Sequence, residues 1–319
     1  MAQFTRLAAA IAAASLAGAV NAGSMTTGGV DISFGGEVDF AFEYHDNDAS
    51  GSSSSVYLDT AEFTIEATDG QTTAGLTAEY GEDSDGSDEL GIDNAFLEYK
   101  INNTYTLFAE YDDTVIGLQG ESMMWNDSFH KDTLFDFTDT MVGAKISGGP
   151  IASTIYVAQG RSGDDDLQEF GTAVSYTHDM FTAHFGYVSD AVDSSYTNET
   201  RGAFSFGATA AINEITLIAE YVMLSDDINN QDPTYLQLEA NYEMKGYTFG
   251  AAYMMNDDTD GLTKPNGDNL EDYESRIALS VAKDITDMLW VQAELDFESA
   301  NNAGDPDDTS LWLVAGASF

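Results

Sequence analysis

Cysteine is missing from all 319 residues, so neither a disulfide framework nor thiolate chemistry is available. Basic residues are scarce: ten Lys+Arg stand against 56 Asp+Glu, a formal net charge of −46. So acidic a chain repels phosphate, which argues against any nucleic acid partner. Helical periodicity is nearly absent, and no apolar run reaches the ~18 residues of a membrane-crossing helix. A G-x-S-x-G elbow, a phosphate loop and zinc-ligand spacing are also lacking. Of the four histidines, His184 falls on a polar strand face with no obvious serine or acid partner in sequence, though neighbouring strands could supply one, and His130 lies in a loop beside Lys131 and Asp132. The expectation is a protein that is not an enzyme and has neither a catalytic residue nor a resident cofactor.

What the chain does contain is order of another kind. Met1–Ala22 carries Arg6, an apolar run from Leu7 to Val20, and Val-Asn-Ala before Gly23. That is the charged, apolar and small-residue order of a secretory signal peptide, so two units are expected: a leader at 1–22 and a single domain at 23–319. Period-2 alternation dominates the remainder. Val38, Phe40, Phe42 and Tyr44 alternate with Glu37, Asp39, Ala41 and Glu43, and Ala61, Phe63, Ile65 and Ala67 with Glu62, Thr64, Glu66 and Thr68. The same pattern recurs to the end at Leu311–Phe319, giving sixteen strands joined by seven short turns and eight long loops. His45–Ser55 and Gly81–Gly91 are the first two expected long loops.

Strands that alternate in polarity, joined alternately by short and long connections, are the pattern of an up-and-down barrel in an outer membrane. Aromatics fit that frame. Tyr44, Tyr57, Tyr80, Tyr111 and Tyr253 stand where strands meet long loops, and Tyr99, Tyr105, Tyr176, Tyr242 and Tyr247 where they meet short turns. Two membrane interfaces require two such rows. With the polar face inward, Glu37, Asp39, Glu62, Glu66 and Glu110 line a water-filled wall, joined by Lys100, Lys145 and Arg276. Confined carboxylates attract cations and exclude anions.

The longest interruption is Asp112–Phe137. It mixes Asp112, Asp113, Glu121, Asp127, Lys131, Asp132 and Asp136 with Met123, Met124, Trp125, Phe129 and Phe135. A solvated loop does not need such apolar anchors, whereas a loop that packs inside a barrel does. About 25 residues can span roughly 80 Å of extended chain, enough to enter a lumen and return. The charged residues of this loop are therefore the candidates for a constriction. Acid runs in other loops, such as Asp83–Glu89 and Asp305–Asp308, are suited to weak Ca²⁺ or Mg²⁺ binding and to bridging lipopolysaccharide phosphates. The partial calcium-loop match at Asn256–Gly267 ends on Gly267 where a glutamate is needed, so no metal site is assigned.

The leader, the opening strand Ile32–Tyr44 (ISFGGEVDFAFEY), the sixteen-strand count, the long third loop and the closing SLWLVAGASF together resemble the general porins of Gram-negative outer membranes. The resemblance implies an all-β, 16-stranded antiparallel transmembrane barrel with the third loop folded into the lumen. It also implies a homotrimer in outer-membrane lipid and a terminal Phe319 read by the barrel-assembly machinery. The expected function is a cation-preferring diffusion channel for small hydrophilic solutes. The alternatives are a substrate-specific channel, for an oligosaccharide for instance, and a non-conducting adhesin or structural barrel. One departure stands out: the family commonly faces its acidic third loop with a cluster of arginines. Here only Arg161, Arg201 and Arg276 follow the leader, and only Arg276 falls clearly on a polar strand face.

Overall fold

The computed structural model describes residues 23–27, 29–47, 51–82, 88–113, 138–159, 169–189, 202–224, 234–257, 273–300 and 308–319. The expected leader, the expected third loop from residue 114 to 137 and the acid runs at 83–87 and 305–307 lie outside the described residues. Seventeen strands are formed: β1 (Gly23–Thr27), β2 (Val30–Asn47), β3 (Gly51–Thr68), β4 (Thr72–Glu82), β5 (Asp88–Lys100), β6 (Tyr105–Asp113), β7 (Thr138–Gly148), β8 (Ile151–Ala158), β9 (Glu169–His178), β10 (Phe181–Val188), β11 (Ala203–Ile212), β12 (Ile215–Leu224), β13 (Thr234–Met244), β14 (Tyr247–Asp257), β15 (Tyr273–Asp284), β16 (Leu289–Ala300) and β17 (Asp308–Ser318). Each strand from β2 to β17 pairs antiparallel with the next, and β17 pairs with β2, closing a sixteen-stranded barrel with no free edge.

β1 is an addition to the sequence reading. It pairs with the first residues of β2, from Val30 to Phe34, on the edge that β17 leaves uncovered below Glu37. Two expected long loops are shorter than the sequence suggested. Ser52–Ser55 pair with Asp46–Glu43, so β2 and β3 extend beyond His45 and leave only residues 48–50 between them. Likewise Glu82 pairs with Asp88. In both places polar residues continue the backbone ladder beyond the apolar alternation, because the ladder does not depend on side-chain polarity.

Short turns are built from local chemistry. Asp69 Oδ1 accepts the backbone N–H groups of Thr72 at 2.7 Å and Gln71 at 2.9 Å. Those two bonds hold its carboxyl below the ordinary value of 3.8. A lowered carboxylate adds stability that is complete above the unfolded value and lost as pH falls through the folded one. Lys245 and Gly246 both have positive φ, 56° and 75°, the pair that a two-residue type I′ hairpin requires.

Two details of the seam between β17 and β2 close the barrel. Phe319 exchanges backbone hydrogen bonds of 2.9 Å with Gly36, and its ring sits over Gly36 where a Cβ would meet it at 2.8 Å. Nearby, the Trp290 ring lies over Gly316 and its Nε1 donates to Glu37 Oε1 at 3.0 Å, reaching from β16 across β17 to β2. A Cβ on Gly316 would stand 2.4 Å from that ring and 2.0 Å from Asp39 Oδ1. Gly316→Val is therefore expected to lose about 1–3 kcal/mol by overpacking, read as a lower urea midpoint for the refolded protein.

Candidate functional site

Strand register fixes which side chains face inward. On β2 the inward positions are Glu37, Asp39, Ala41 and Glu43, while Phe40, Phe42 and Tyr44 face out. Around the barrel the outward face is apolar and open, with Phe63, Leu97, Leu107, Ile155, Leu238 and Ile277 each about half exposed. The inward face holds Glu62 and Glu66 on β3, Glu79 on β4, Glu98 and Lys100 on β5, Glu110 on β6, Lys145 on β7 and Arg276 on β15. Asp112 continues the inward register at the end of β6, opposite Asp139, and Asp113 is the last residue of that strand. Glu121, Asp127, Lys131, Asp132 and Asp136 lie outside the described residues.

Two β-bulges alter the wall that simple alternation suggests. Asp39 pairs with Thr60 but Phe40 with Leu58, so Asp59 is an extra residue on β3. Thr77 pairs with Asn94 but Ala78 with Ile92, so Asp93 is an extra residue on β5. A bulge inverts the facing of everything beyond it. Tyr57 is therefore not an outer interface tyrosine: it pairs with Ala41 in the inward register. Asp93 joins Glu62 and Glu79, with carboxylate oxygens of all three within 4.8 Å of one another. The sequence carries the signal for both. Apolar positions run Val56 and Leu58 and then shift to Ala61 and Phe63, and run Leu90 and Ile92 before shifting to Ala95 and Leu97.

The inner face is not uniformly accessible. Among the described residues no side chain of β3, β4 or β5 is buried, whereas β6 to β17 hold Phe108, Glu110, Met141, Tyr156, Tyr235, Arg276 and Trp312, all at 9% exposure or less. Inner surface is thus open along β3–β5, where Glu62, Glu66, Glu79 and Glu98 lie, and also at inner positions of β7 to β10 such as Lys145, Ser175 and His184.

Two of the inward cations are held by carboxylates. Lys145 Nζ lies 2.8 Å from Glu98 Oε1, 2.5 Å from Glu110 Oε1 and 5.0 Å from the centre of the Phe108 ring. Arg276, fully buried, lies 3.0 Å from Glu294, 2.9 Å from Asp296 and 3.7 Å from Glu298. Each cation is outnumbered, by two acids and three acids respectively, so each cluster is net negative. Other inward polar groups support one another along single strands. Tyr235 donates to Gln237 at 2.7 Å, and Gln237 and Asn241 both donate to Glu239, at 3.1 and 2.6 Å.

Aromatic rings that face inward include Tyr57, Phe96, Phe108, Tyr156, Tyr235, Trp290 and Trp312, of which Tyr57 is turned inward by the bulge. Phe108, Tyr156, Tyr235 and Trp312 are buried. The Tyr156 ring packs over Gly171 and its hydroxyl donates to Glu169 at 3.2 Å. Rings so packed brace the wall.

Comparison with known proteins agrees with this geometry. A family profile described as Gram-negative porin matches residues 8–278. Among solved structures, the outer membrane channel DcaP of Acinetobacter baumannii superposes with a TM-score of 0.68 at 12% identity, over 94% of this chain and all of that one. An anion-selective porin from Comamonas acidovorans gives 0.69 at 13% identity, over 91% and 100% of the two chains. OmpF of Salmonella typhi, in complex with daunomycin, gives 0.68 at 12%, over 93% and 100%. Among curated proteins none matches. At such identities the superpositions establish the fold, and the family match covers most of the sequence. The chain belongs to the Gram-negative porins, outer-membrane β-barrel channels.

Proposed function

We propose that this porin is a cation-preferring, water-filled diffusion channel for small hydrophilic solutes, its aqueous path running beside β3–β5. The observation that carries the reading is the combination of access and charge. Along β3–β5 the open inner wall presents Glu62, Glu66, Glu79, Asp93 and Glu98 with Lys100 as its basic residue, while Lys145 and Arg276 sit within carboxylate clusters. A permeating anion meets few cationic groups there, and a cation meets a confined negative potential. Asp112, Asp113, Glu121, Asp127, Lys131, Asp132 and Asp136 are proposed to set the constriction, with Glu37, Asp39 and Glu110 completing the wall.

The proposal includes export through the leader at 1–22, insertion through recognition of Phe319 by the assembly machinery, and a homotrimer in lipid and lipopolysaccharide. The burial of Phe108, Tyr156, Tyr235 and Trp312 disfavours an aromatic track for oligosaccharides. The test is conductance of the mature protein in a planar bilayer, with the reversal potential taken under a KCl gradient. Cation selectivity that fades towards 1 M salt, where the Debye length is about 3 Å, is expected. Anion selectivity would overturn the charge assignment, and stable insertion without conductance would favour an adhesin or structural barrel.

A further inference from the structure

The outward face carries a feature that a uniform lipid-facing surface does not need. On β16 and β17 the outward residues Ala293 and Ala315 end at Cβ, while Val291 and Leu313 pair directly opposite them and Phe40 on β2 pairs with Ala315. The result is an apolar depression of about 600 Å³, which extends across β15 to Lys283 and Tyr247. That volume lies in the range of ~300–1,000 Å³ typical of sites that hold one small molecule.

Charge distinguishes one end of this depression. The lysines and arginines among the described residues are Lys100, Lys145, Lys245, Arg276 and Lys283. Lys100, Lys145 and Arg276 are in inward register. Lys283 is in outward register at the short-turn end of β15, and Lys245 occupies the turn immediately before β14. Lys283 is the one basic residue that lines the apolar groove, and the acids Asp284 and Asp287 belong to the adjoining turn. Asp284, the next residue in the chain, belongs to the inward register opposite Trp290. Lys283 Nζ donates to the Tyr247 hydroxyl at 3.1 Å and lies 4.3 Å from the centre of its ring. An ammonium has three donors, so two remain for an anion. A lysine stem laid along apolar surface with its head beside an interface tyrosine is the arrangement that meets a lipid phosphate.

We propose that this groove is a binding site for a phospholipid with an anionic headgroup, its acyl chain over Ala293 and Ala315 and its phosphate at Lys283. This rests on the channel reading above and on the rule that short turns of outer-membrane barrels face the periplasm, which places the headgroup in the phospholipid leaflet on that side.

The experiment is native mass spectrometry of the mature detergent-extracted protein, titrated with phosphatidylglycerol or with phosphatidylcholine of the same acyl chains. Wild type is expected to retain phosphatidylglycerol about fivefold better, the preference one lysine near a membrane surface supplies. Lys283→Gln should bring the two lipids to parity, and Ala293→Phe, which fills the depression, should lower retention of both. Equal retention by wild type, or an unchanged preference in Lys283→Gln, would overturn the proposal. So would an Ala293→Phe variant that loses its oligomeric state but keeps its phosphatidylglycerol, since the groove would then be a contact between copies. Bilayer conductance of the same preparations is a separate readout. Both variants should conduct as wild type, and a non-conducting wild type that still prefers phosphatidylglycerol would reject the channel reading while keeping the lipid site.

Discussion

Replacing Glu62, Glu79 and Asp93 together with Gln, Gln and Asn is expected to reduce the cation-to-anion permeability ratio several-fold at low salt. The three carboxylates converge on the open wall beside β3–β5, with oxygens within 4.8 Å of one another. A confined patch of one sign, bounded by low-dielectric walls, can hold a potential of several kT and raise local counter-ion concentration about tenfold or more. Amides keep the size and the hydrogen bonding while removing the charge. The ratio of the variant should approach unity near 0.1 M salt, and variant and wild type should converge towards 1 M as screening shortens to about 3 Å. Glu220→Gln provides the contrast, because Glu220 is 2% exposed on the inner face of β12 and its removal should shift the ratio far less. Equal effects of the two substitutions would mean that ions do not pass preferentially along β3–β5.

Arg276→Met should be the most destabilising single change in the barrel wall. Arg276 and Glu294 have no exposed side-chain surface, nor has Asp296, and Glu298 has 9%. Removing the guanidinium leaves those carboxylates facing one another without a counter-charge. Breaking a buried pair in this way costs about 3–5 kcal/mol, enough for a clear drop in the urea midpoint of the protein folded into vesicles. Arg276→Lys keeps the charge but loses the planar fork that contacts several carboxylates at once, and should fall between the two. Recovery in a variant that pairs Arg276→Met with Glu294→Gln and Asp296→Asn would identify unbalanced charge as the cause. An unfolding free energy within about 1 kcal/mol of wild type for Arg276→Met alone would show that water reaches and solvates these acids, on the scale of exposed ion pairs.

The fold is shared with an anion-selective porin at 13% identity. Equivalent barrels can therefore carry different side chains inward, and selectivity has to be argued from the wall residues of each chain.

Much of this protein was determined by its sequence alone. Strands that each present one apolar and one polar face, joined by turns of alternating length, mark an up-and-down membrane barrel. Both are local properties of the chain, visible at Val38–Tyr44, Ala61–Thr68 and again at Leu311–Phe319. The inward placement of Glu37, Glu62, Glu79, Glu110 and Arg276 follows from that alternation by counting in twos. What the tertiary structure decided are the places where counting fails or where distant strands meet. The bulges at Asp59 and Asp93 turn Tyr57 inward and bring a third carboxylate to Glu62 and Glu79, because one unpaired residue inverts every facing beyond it. The extension of β2 and β3 past His45 came from backbone pairing, which polar serines support as well as apolar residues. Lys145 met Glu98 and Glu110, and Arg276 met Glu294, Asp296 and Glu298, only once neighbouring strands had fixed their register. Lysines and acids far apart in sequence have no period to betray their pairing. The burial of inner side chains such as Met141, Tyr156, Tyr235 and Arg276 arises between strands that the chain keeps far apart, and no single strand shows it.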